Sequence, residues 1–369
     1  MNEDKAARYH RLRRRTSVAG TGTALACLAL IAVSGTGTSL AGAAAARAGR
    51  TGASLLIGAA LAVVLAVLAL PFDASQQRLE RRYGLATRPA VAWWGDWLRS
   101  ALVTVLLFSA GALALTATQA VSPDWWWLWC AGLATGATAV LARLAPVILV
   151  PLLDRCVPLQ RPDLALRLRT LAQRAGADFT GVFEWQVAWR TRVASATLAG
   201  GGVHRRVLLS DTLLDTHTDE EIEVIVAHEI GHQVHRDLWT GLALDGGLLA
   251  VALYVVATVG PGAAEALGSG GAGVQASLPL YLLIGWAVWL GLRPVSYALS
   301  RAHERRADRF ALELTGNASA FVRAVERLSA RNLAEESPSR AVEFWSTHPP
   351  VAARLAAARA RLGFPVVSG

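Results

Sequence analysis

The stretch DEEIEVIVAHEIGH, residues 219–232, predicts a single helix with a metal-binding face. Acidic side chains fill its first turn, and isoleucine and valine recur at helical spacing along one side. His228 and His232 are one helical turn apart, so both imidazoles can reach one zinc ion. Glu229 projects from the same turn, where its carboxylate can take a proton from a zinc-bound water. The pattern predicts a catalytic zinc site; the alternative is a charged patch on a solvated helix.

The composition indicates a membrane protein. Hydrophobic residues make up 53% of the 369 residues and charged residues only 17%, whereas soluble domains carry about 25% charged residues. Six apolar stretches approach the length of about 20 residues that a helix needs to cross the hydrocarbon layer. These predicted spans are residues 17–36, 54–70, 100–118, 125–141, 238–259 and 278–292.

Basic residues predict the orientation of the spans. Arginines crowd the segments before the first span, after the second and after the fourth, which favours the cytoplasm for both chain ends. An alternative is that residues 1–46 form a cleaved signal peptide. The net charge of +9 follows this topology and forms no single patch, so we expect a multi-pass cell-membrane protein in contact with the lipid bilayer, without nucleic acid as a partner. The strong preference for arginine over lysine indicates a bacterial source.

The part outside the spans has mixed secondary structure. Residues 162–175 predict an amphipathic helix, and residues 180–188 and 206–210 predict strands that lead into the zinc helix. The expected fold class is therefore mainly α: a polytopic membrane helical bundle of about six spans with a small cytoplasmic α+β unit. The predicted divisions are a basic cytoplasmic arm at 1–16, spans one to four within 17–151, and a domain at 152–369 that includes the zinc helix and spans five and six.

A third metal ligand is expected after the sixth span. Catalytic zinc usually has three protein ligands and one open position for water. If spans five and six form an antiparallel hairpin, the segment SRAHERRAD, residues 300–308, returns to the side of the membrane that holds the zinc helix. Glu304 and Asp308 are one turn apart, so one can bind the metal while the other orients a ligand histidine. His303 is the competing ligand, and a solvated charge cluster is the alternative.

Three motifs together resemble a known family. The HEIGH helix, the SRAHERRAD segment and Thr347-His348-Pro349-Pro350 are similar to the integral-membrane zinc metalloproteases that include type I CAAX prenyl proteases and HtpX-type heat-shock proteases. LERRYGL at residues 79–85 and RVLLSDTLL at residues 206–214 extend the similarity to the CAAX branch. The resemblance covers most of residues 55–360.

The resemblance implies a set of roles within a gluzincin-like HExxH site that holds one Zn²⁺ per chain. Glu229 would be the general base and acid, and Asp308 the partner of a ligand histidine. His348 would stabilise the oxyanion of the tetrahedral intermediate, with Arg354 assisting it; the alternative for His348 is a helix N-terminal turn. The implied zinc ligands are His228, His232 and Glu304.

Two departures from the CAAX branch concern the substrate. That branch has an Asn-Ala pair on the edge strand that aligns the peptide, where this chain has Ser195-Ala196. We expect the peptide to add as a strand beside Ser195, Ala196 and Thr197. The branch also has seven spans around an internal chamber, against six predicted here, which leaves open both the chamber and prenylated substrates.

The expected function is that of a membrane-embedded zinc-dependent metalloendopeptidase. It would cleave membrane-associated or lipidated proteins or peptides, prenylated ones included, near the cytoplasmic face. The alternatives are a signalling sensor built on a zinc-protease module, a quality-control protease of the heat-shock type, and a non-catalytic membrane scaffold.

One ionisable residue falls inside a predicted span. Asp245 lies in span five and Arg293 in span six, at equal offsets from the ends of the expected hairpin. Charges inside a membrane are costly unless they are paired or hydrated. We therefore expect these two side chains to pair or to line a polar cavity; the alternative places Asp245 at the interface.

Overall fold

The structure is a computed structural model, and it describes residues 5–153, 155–200 and 205–362. A short 3-10 helix, Gly270–Ala272, joins two of its long helices. The strands are β1 (Arg155–Pro158), β2 (Gly181–Gln186), β3 (Ala196–Ala199) and β4 (Arg206–Ser210). The α-helices are α1 (Lys5–Val33), α2 (Thr36–Arg82), α3 (Ala90–Val121), α4 (Trp126–Leu153), α5 (Pro162–Arg174), α6 (Asp211–Leu214), α7 (Asp219–Val234), α8 (Asp237–Ala266), α9 (Val274–Thr315), α10 (Ala318–Arg331), α11 (Arg340–Phe344) and α12 (Val351–Ala360).

Six of the described helices are long and apolar enough to cross a membrane, as the sequence predicted: α1, α2, α3, α4, α8 and α9. Their outer surfaces carry large apolar side chains, such as Leu98, Leu102 and Leu106 of α3, each at least 60% exposed. In water such a stripe would be costly, whereas in a bilayer it faces hydrocarbon. The described chain is therefore a mainly helical, multi-pass membrane bundle.

The first helix is part of the bundle core. Leu28 of α1 is fully buried in a cluster with Ile57 and Leu61 of α2, Ala112 of α3 and Leu278 of α9. The predicted first span therefore packs against three other helices of the bundle.

Helix α2 is longer than the predicted span and is interrupted. Gly49 has φ 65 and ψ −178 inside it, a backbone conformation that side-chain-bearing residues rarely adopt. The chain therefore changes direction between residues 36–48 and the part that contains the predicted span. Beyond that span, α2 continues to Arg82, outside the apolar stretch.

The small sheet has the order β1-β2-β4-β3. Strands β2 and β4 are parallel, whereas β1 pairs with β2 and β3 pairs with β4 in antiparallel fashion. Ala196 of β3 lies opposite Leu209 of β4. Strand β3 is thus at an edge of the sheet, and it packs against α7.

Helix α7 is fixed by its start and by its apolar stripe. The Thr218 side chain accepts from the Glu221 backbone and the Glu221 carboxylate accepts from the Thr218 backbone, which completes a capping box. Ile222, Val226 and Ile230 are fully buried in one core cluster with α5, β4 and α10. Burial of these branched side chains sets the rotation of α7, so the opposite side of the helix presents His228 and His232 to the site.

Helix α9 continues through the bundle into the sheet-containing part of the molecule. It forms a hairpin with α8, and its polar final third packs on α7, with Ala307 and Ala311 fully buried. Gly231 of α7 makes this approach possible, since a Cβ at that position would lie 3.2 Å from the Ala307 Cα. The hairpin predicted from spans five and six is confirmed, and it brings Glu304 to the zinc helix.

The predicted pairing of Asp245 with Arg293 is wrong. The Arg293 guanidinium donates through Nε and Nη2 to Tyr297 Oη at 2.9 and 2.6 Å, and it lies over the Trp289 ring of its own helix. Asp245 Oδ1 is buried and has no hydrogen-bond partner among the described residues. Equal offsets along a hairpin define the depth of two residues but not the direction in which each side chain faces.

Candidate active site

Three side chains converge where α7 meets α9. The Nε2 atoms of His228 and His232 are 3.2 Å apart, and each lies 3.6 Å from an oxygen of Glu304. One ligand atom from each of these three residues lies within 4.8 Å of the other two. Among the described residues, these are the ones that form a possible metal-binding group.

The donor set fits zinc. Ligands bound at about 2.0–2.1 Å in a tetrahedron lie about 3.3 Å from one another, and the measured separations are 3.2, 3.6 and 3.6 Å. Two imidazoles and one carboxylate are also the donors of many catalytic zinc sites, in which the fourth position stays open for water. His303, the competing ligand, lies outside this group; its Nε2 is 3.2 Å from Thr240 Oγ1.

Each histidine has a carboxylate at its other ring nitrogen. His228 Nδ1 is 2.9 Å from Asp308 Oδ1, and His232 Nδ1 is 2.8 Å from Asp237 Oδ2. Carboxylates at Nδ1 hold the proton there and leave Nε2 free to face a metal. Asp308 was expected in this position from the sequence, whereas Asp237 was missed.

Each of these carboxylates is in turn held by an arginine. Arg354 of α12 donates through Nε to Asp308 Oδ2 at 2.8 Å and through Nη2 to Asp308 Oδ1 at 2.6 Å. Arg306 of α9 pairs with Asp237 Oδ1. The resemblance placed Arg354 as an assistant of His348, and this role stays a prediction. The two-pronged contact of Arg354 with Asp308 fixes the orientation of that carboxylate.

Glu229 lies between the two histidines in sequence and, like them, lines a cavity beside the site. Burial raises the pKa of its carboxyl, against the opposing influence of His228 and His232. A carboxyl whose pKa is moved up towards neutrality can both accept and return a proton. This is the property that a general base and acid requires.

His348 approaches the site from the loop before α12. Its Nδ1 is 3.1 Å from Glu304 Oε2, although 64% of its side chain is exposed. The hydrogen bond with Glu304 raises the pKa of His348, which favours the charged imidazole that donates from both nitrogens. The exposed ring is therefore close to the predicted metal position and carries a donor for a developing negative charge.

The protonation of His232 is coupled to its neighbours. Burial alone would lower the pKa of this imidazole, but the carboxylates of Glu304 and Asp237 raise it to about 9. At neutral pH a metal ion therefore competes with a proton for Nε2.

A cavity of about 350 Å³ opens beside these residues. One wall is apolar and comes from α10, a helix that the sequence analysis did not connect with the site. Its four lining residues recur at helical spacing, which is the signal that could have identified an amphipathic helix here. They are Phe321, Ala324, Val325 and Leu328.

The segment expected to align the substrate is held in place at its start. Ala194 donates through its backbone N–H to Asn332 Oδ1 at 2.9 Å, and its carbonyl accepts from Asn332 Nδ2 at 3.0 Å. Ser195 N donates to Ser210 Oγ at 2.9 Å. Ala196 and Thr197 then enter edge strand β3, which pairs with β4 on one side only among the described strands.

Two family models match the chain and together cover most of it. One is described as peptidase family M48 and matches residues 158–362. The other is described as the CAAX prenyl protease N-terminal part with five membrane helices and matches residues 2–155. In that range the described part of this chain has four candidate spans.

Curated relatives agree with the family models. The chain is 28% identical over 303 residues to the uncharacterized metalloprotease YhfN of Bacillus subtilis (strain 168), which covers 80% of this chain and 70% of that protein. It is also 28% identical over 225 residues to the CAAX prenyl protease 1 homolog of Arabidopsis thaliana. The second match covers 59% of this chain and 52% of the plant protein, so the chain spans about half of that relative.

A solved structure has the same fold. The crystal structure of S. mikatae Ste24p superposes with a TM-score of 0.81 at 19% identity, over 96% of this chain and 87% of that one. At this identity the likeness concerns the fold alone. The resemblance that the sequence motifs predicted is confirmed.

Proposed function

The chain belongs to peptidase family M48, and from this premise we propose that it cleaves membrane-associated or lipidated proteins near the cytoplasmic face, with one Zn²⁺ as cofactor. It is a multi-pass membrane metalloendopeptidase. The observation that carries the proposal is the convergence of His228, His232 and Glu304. The two histidines lie on α7, outside the candidate membrane spans, whereas Glu304 lies on α9, which is one of them. A peptidase site on such a junction lies next to substrates that reach it from the bilayer.

We propose His228, His232 and Glu304 as the zinc ligands. A bound Zn²⁺ supplies Lewis acidity, which polarises the scissile carbonyl and moves the pKa of a water towards about 7. Asp308 and Asp237 hold the two imidazoles with Nε2 inward. Arg354 and Arg306 keep these carboxylates charged and oriented.

Glu229 is assigned as general base and acid. Its carboxylate takes a proton from the attacking water and returns it to the leaving amine. The raised pKa that burial gives Glu229 suits both halves of this transfer.

His348 is assigned to the oxyanion. Its charged ring donates a hydrogen bond to the oxygen on which negative charge develops. The contact with Glu304 keeps the ring near the reacting carbonyl, and its exposure allows it to turn towards substrate. Arg354, two-pronged on Asp308, is a positioning residue in this scheme.

The substrate is proposed to bind as an added strand along Ser195, Ala196 and Thr197. The free edge of β3 offers backbone donors and acceptors, which tolerate varied sequences. The apolar wall of α10 favours a hydrophobic side chain next to the scissile bond. Ser195 offers a hydroxyl where the CAAX branch has an amide, so we expect the substrate preference to differ from that branch, with prenylated proteins as one candidate class among the membrane-bound substrates.

The topology that accompanies this proposal has both chain ends in the cytoplasm. A basic arm at 1–16 precedes spans one to four within 17–151, and the metallopeptidase domain at 152–369 includes spans five and six. Arginine-rich segments on one side of the bundle support this orientation.

The purified Glu229→Gln variant tests the proposal. We expect it to retain one zinc per chain and to lose peptidase activity, because the base is not a ligand. Glu223→Gln is the matched control, since Glu223 lies on the same helix and pairs with Arg167 at 3.6 Å. Loss of zinc from the Glu229 variant, or full activity in it, would contradict the assignment. Proteomic comparison of cells that carry each variant then identifies uncleaved membrane proteins.

A further inference from the structure

A second cavity lies beside the site, where the helical bundle meets the sheet. Its volume is about 500 Å³, and three of its lining residues are arginines: Arg143, Arg205 and Arg236. Arg143 follows the apolar stretch of α4 that the sequence predicts as span four, residues 125–141. Arg236 directly precedes α8. The cavity is therefore at the boundary between the hydrocarbon layer and water.

The positive charge of this cavity is not compensated within the described residues. Among the described residues no acidic side chain lines it, and none of the three arginines forms an ion pair with any of them. Arg205 Nε is buried and lacks a hydrogen-bond partner among the described residues. Asp237, the nearest carboxylate along the chain, is committed to His232 and Arg306. Buried unpaired donors and clustered like charges are costly, and an anion offsets both.

The start of α8 adds to this preference. The helix has 30 residues, and its N-cap residue, Arg236, provides no side-chain hydrogen bond to the first turn. Free N–H groups and the helix dipole at such an end favour a negative group. Leu238 and Trp239 of this turn line the cavity.

The surroundings indicate a lipid and not a soluble anion. Leu238 and Trp239 are 52% and 44% exposed next to the arginines, and Leu141 and Leu144 of α4 are 52% and 46% exposed. A phosphate placed between the arginines would have its acyl chains along these apolar side chains. Basic pockets between membrane helices are typical sites for anionic headgroups, and interfacial tryptophan is typical of the headgroup level.

We propose that this cavity binds the phosphate headgroup of an anionic phospholipid. His232 and Gln233 line the same cavity, so the lipid would be in contact with the end of the zinc helix. The proposal goes beyond the peptidase activity and does not require a bound metal, because lipid binding is measured directly.

Lipid titration of the full chain in neutral detergent tests the proposal. Native mass spectrometry counts the bound molecules of short-chain phosphatidylglycerol, with phosphatidylcholine and inorganic phosphate as comparisons. We expect phosphatidylglycerol to bind most tightly. Each of Arg143→Gln, Arg205→Gln and Arg236→Gln should weaken it about fivefold, the usual contribution of one basic residue near an anionic headgroup.

Arg169→Gln is the matched control, because Arg169 is an exposed arginine of α5, and its loss removes the same charge without altering the cavity. Thermal unfolding of each variant reports whether the fold is intact. Three results would overturn the proposal, and the first two are equal weakening by Arg169→Gln and equal affinity for phosphatidylcholine. Arginine-dependent binding of inorganic phosphate with the affinity of phosphatidylglycerol would also overturn it, as the cavity would then be a plain anion site.

Discussion

Each of the two proposed histidine ligands is held by a branch, which consists of an aspartate at the imidazole and an arginine at that aspartate. The two branches come from different parts of the molecule. In the soluble branch, His228 meets Asp308, which Arg354 of α12 grips with two hydrogen bonds. In the membrane branch, His232 meets Asp237 at the first residue of α8, and Arg306 completes the chain. The terminal arginine side chain is 18% exposed in the soluble branch and 36% exposed in the membrane branch.

The difference teaches how one metal site can join two structural parts. The soluble branch ends on the helix that follows His348, so it ties a proposed ligand to the loop that carries the proposed oxyanion donor. The membrane branch passes through Asp237 at the start of α8, ends at Arg306 of α9, the helix that also carries Asp308, and borders the arginine-lined cavity at His232. Glu304 belongs to neither branch and faces both histidines. If the two branches meet on one zinc ion, substitution in either branch should weaken zinc binding, and the size of the loss shows which branch contributes more.

The largest effect is expected from Glu304→Ala. If both branches converge on Glu304, this variant should lose its zinc and its activity together, because two histidines alone make an incomplete site. His303→Ala is the matched control on the same helix and should retain both. Metal analysis of the purified variants checks this. Zinc that stays in Glu304→Ala and leaves His303→Ala would make His303 the ligand.

The next effect is expected from the two aspartates. Asp308→Asn and Asp237→Asn should each weaken zinc binding, within the ~10–100-fold range typical of such partners. The Asp308 variant should be the weaker binder, since it also leaves the less exposed Arg354 without its partner. Competition with a chelating dye measures the affinities, and Asp163→Asn on the exposed face of α5 is the control. Equal losses in the two branches would contradict their inequality.

How far the sequence predicts these branches depends on whether a contact is local. His228, Glu229 and His232 follow from one helical turn, and Glu304 follows from the hairpin of two apolar spans. Position on the returning segment alone allows both Glu304 and His303, and the family resemblance predicted Glu304; in the folded chain the rotation of α9 selects between them. That rotation is set by the contact of Ala307 with Gly231, which requires the folded packing.

The missed residues have a common cause. Asp237 is five residues after His232, a spacing that no continuous helix would bring onto one face. It reaches the imidazole because the chain breaks at Arg236, whose φ of 57 is unusual for a residue with a side chain. Arg354 was predicted as a site residue, but its contact with Asp308 was missed, because the two residues are 46 positions apart in the sequence. The apolar wall of α10 and the grip of Asn332 on Ala194 are likewise tertiary contacts, which patterns along the chain do not reveal.

The pH dependence of zinc binding should distinguish the branches next. Glu304 and Asp237 raise the pKa of His232 to about 9, so below that pH a proton occupies the position that zinc needs. Affinity should rise about tenfold per pH unit between pH 7 and 8 and level off above pH 9. Asp237→Asn removes one of the two carboxylates and should flatten this dependence, whereas Asp308→Asn should keep it. An unchanged slope in the Asp237 variant would contradict the proposed coupling.

The smallest effect is expected from the arginines. Arg354→Lys and Arg306→Lys keep the charge, but lysine cannot make the two-pronged contact that Arg354 makes with Asp308. We expect a few-fold loss of turnover with little change in KM for the first variant and a smaller loss for the second. Steady-state kinetics with a model peptide checks this, with zinc content as the companion measurement. A larger loss in the Arg306 variant would reverse the order of the branches.

The short joint between the zinc helix and α8 has a mechanical consequence. Helix α7 ends at Val234 and α8 begins at Asp237, so a helical rod of 30 residues starts five residues after His232, a proposed ligand. Such a rod is about 45 Å long, and long hydrophobic helices tilt when the bilayer becomes thinner. We expect such a tilt to move Asp237 relative to His232 through the bend at Arg236. The thickness of the bilayer is therefore expected to influence the geometry of the proposed zinc site.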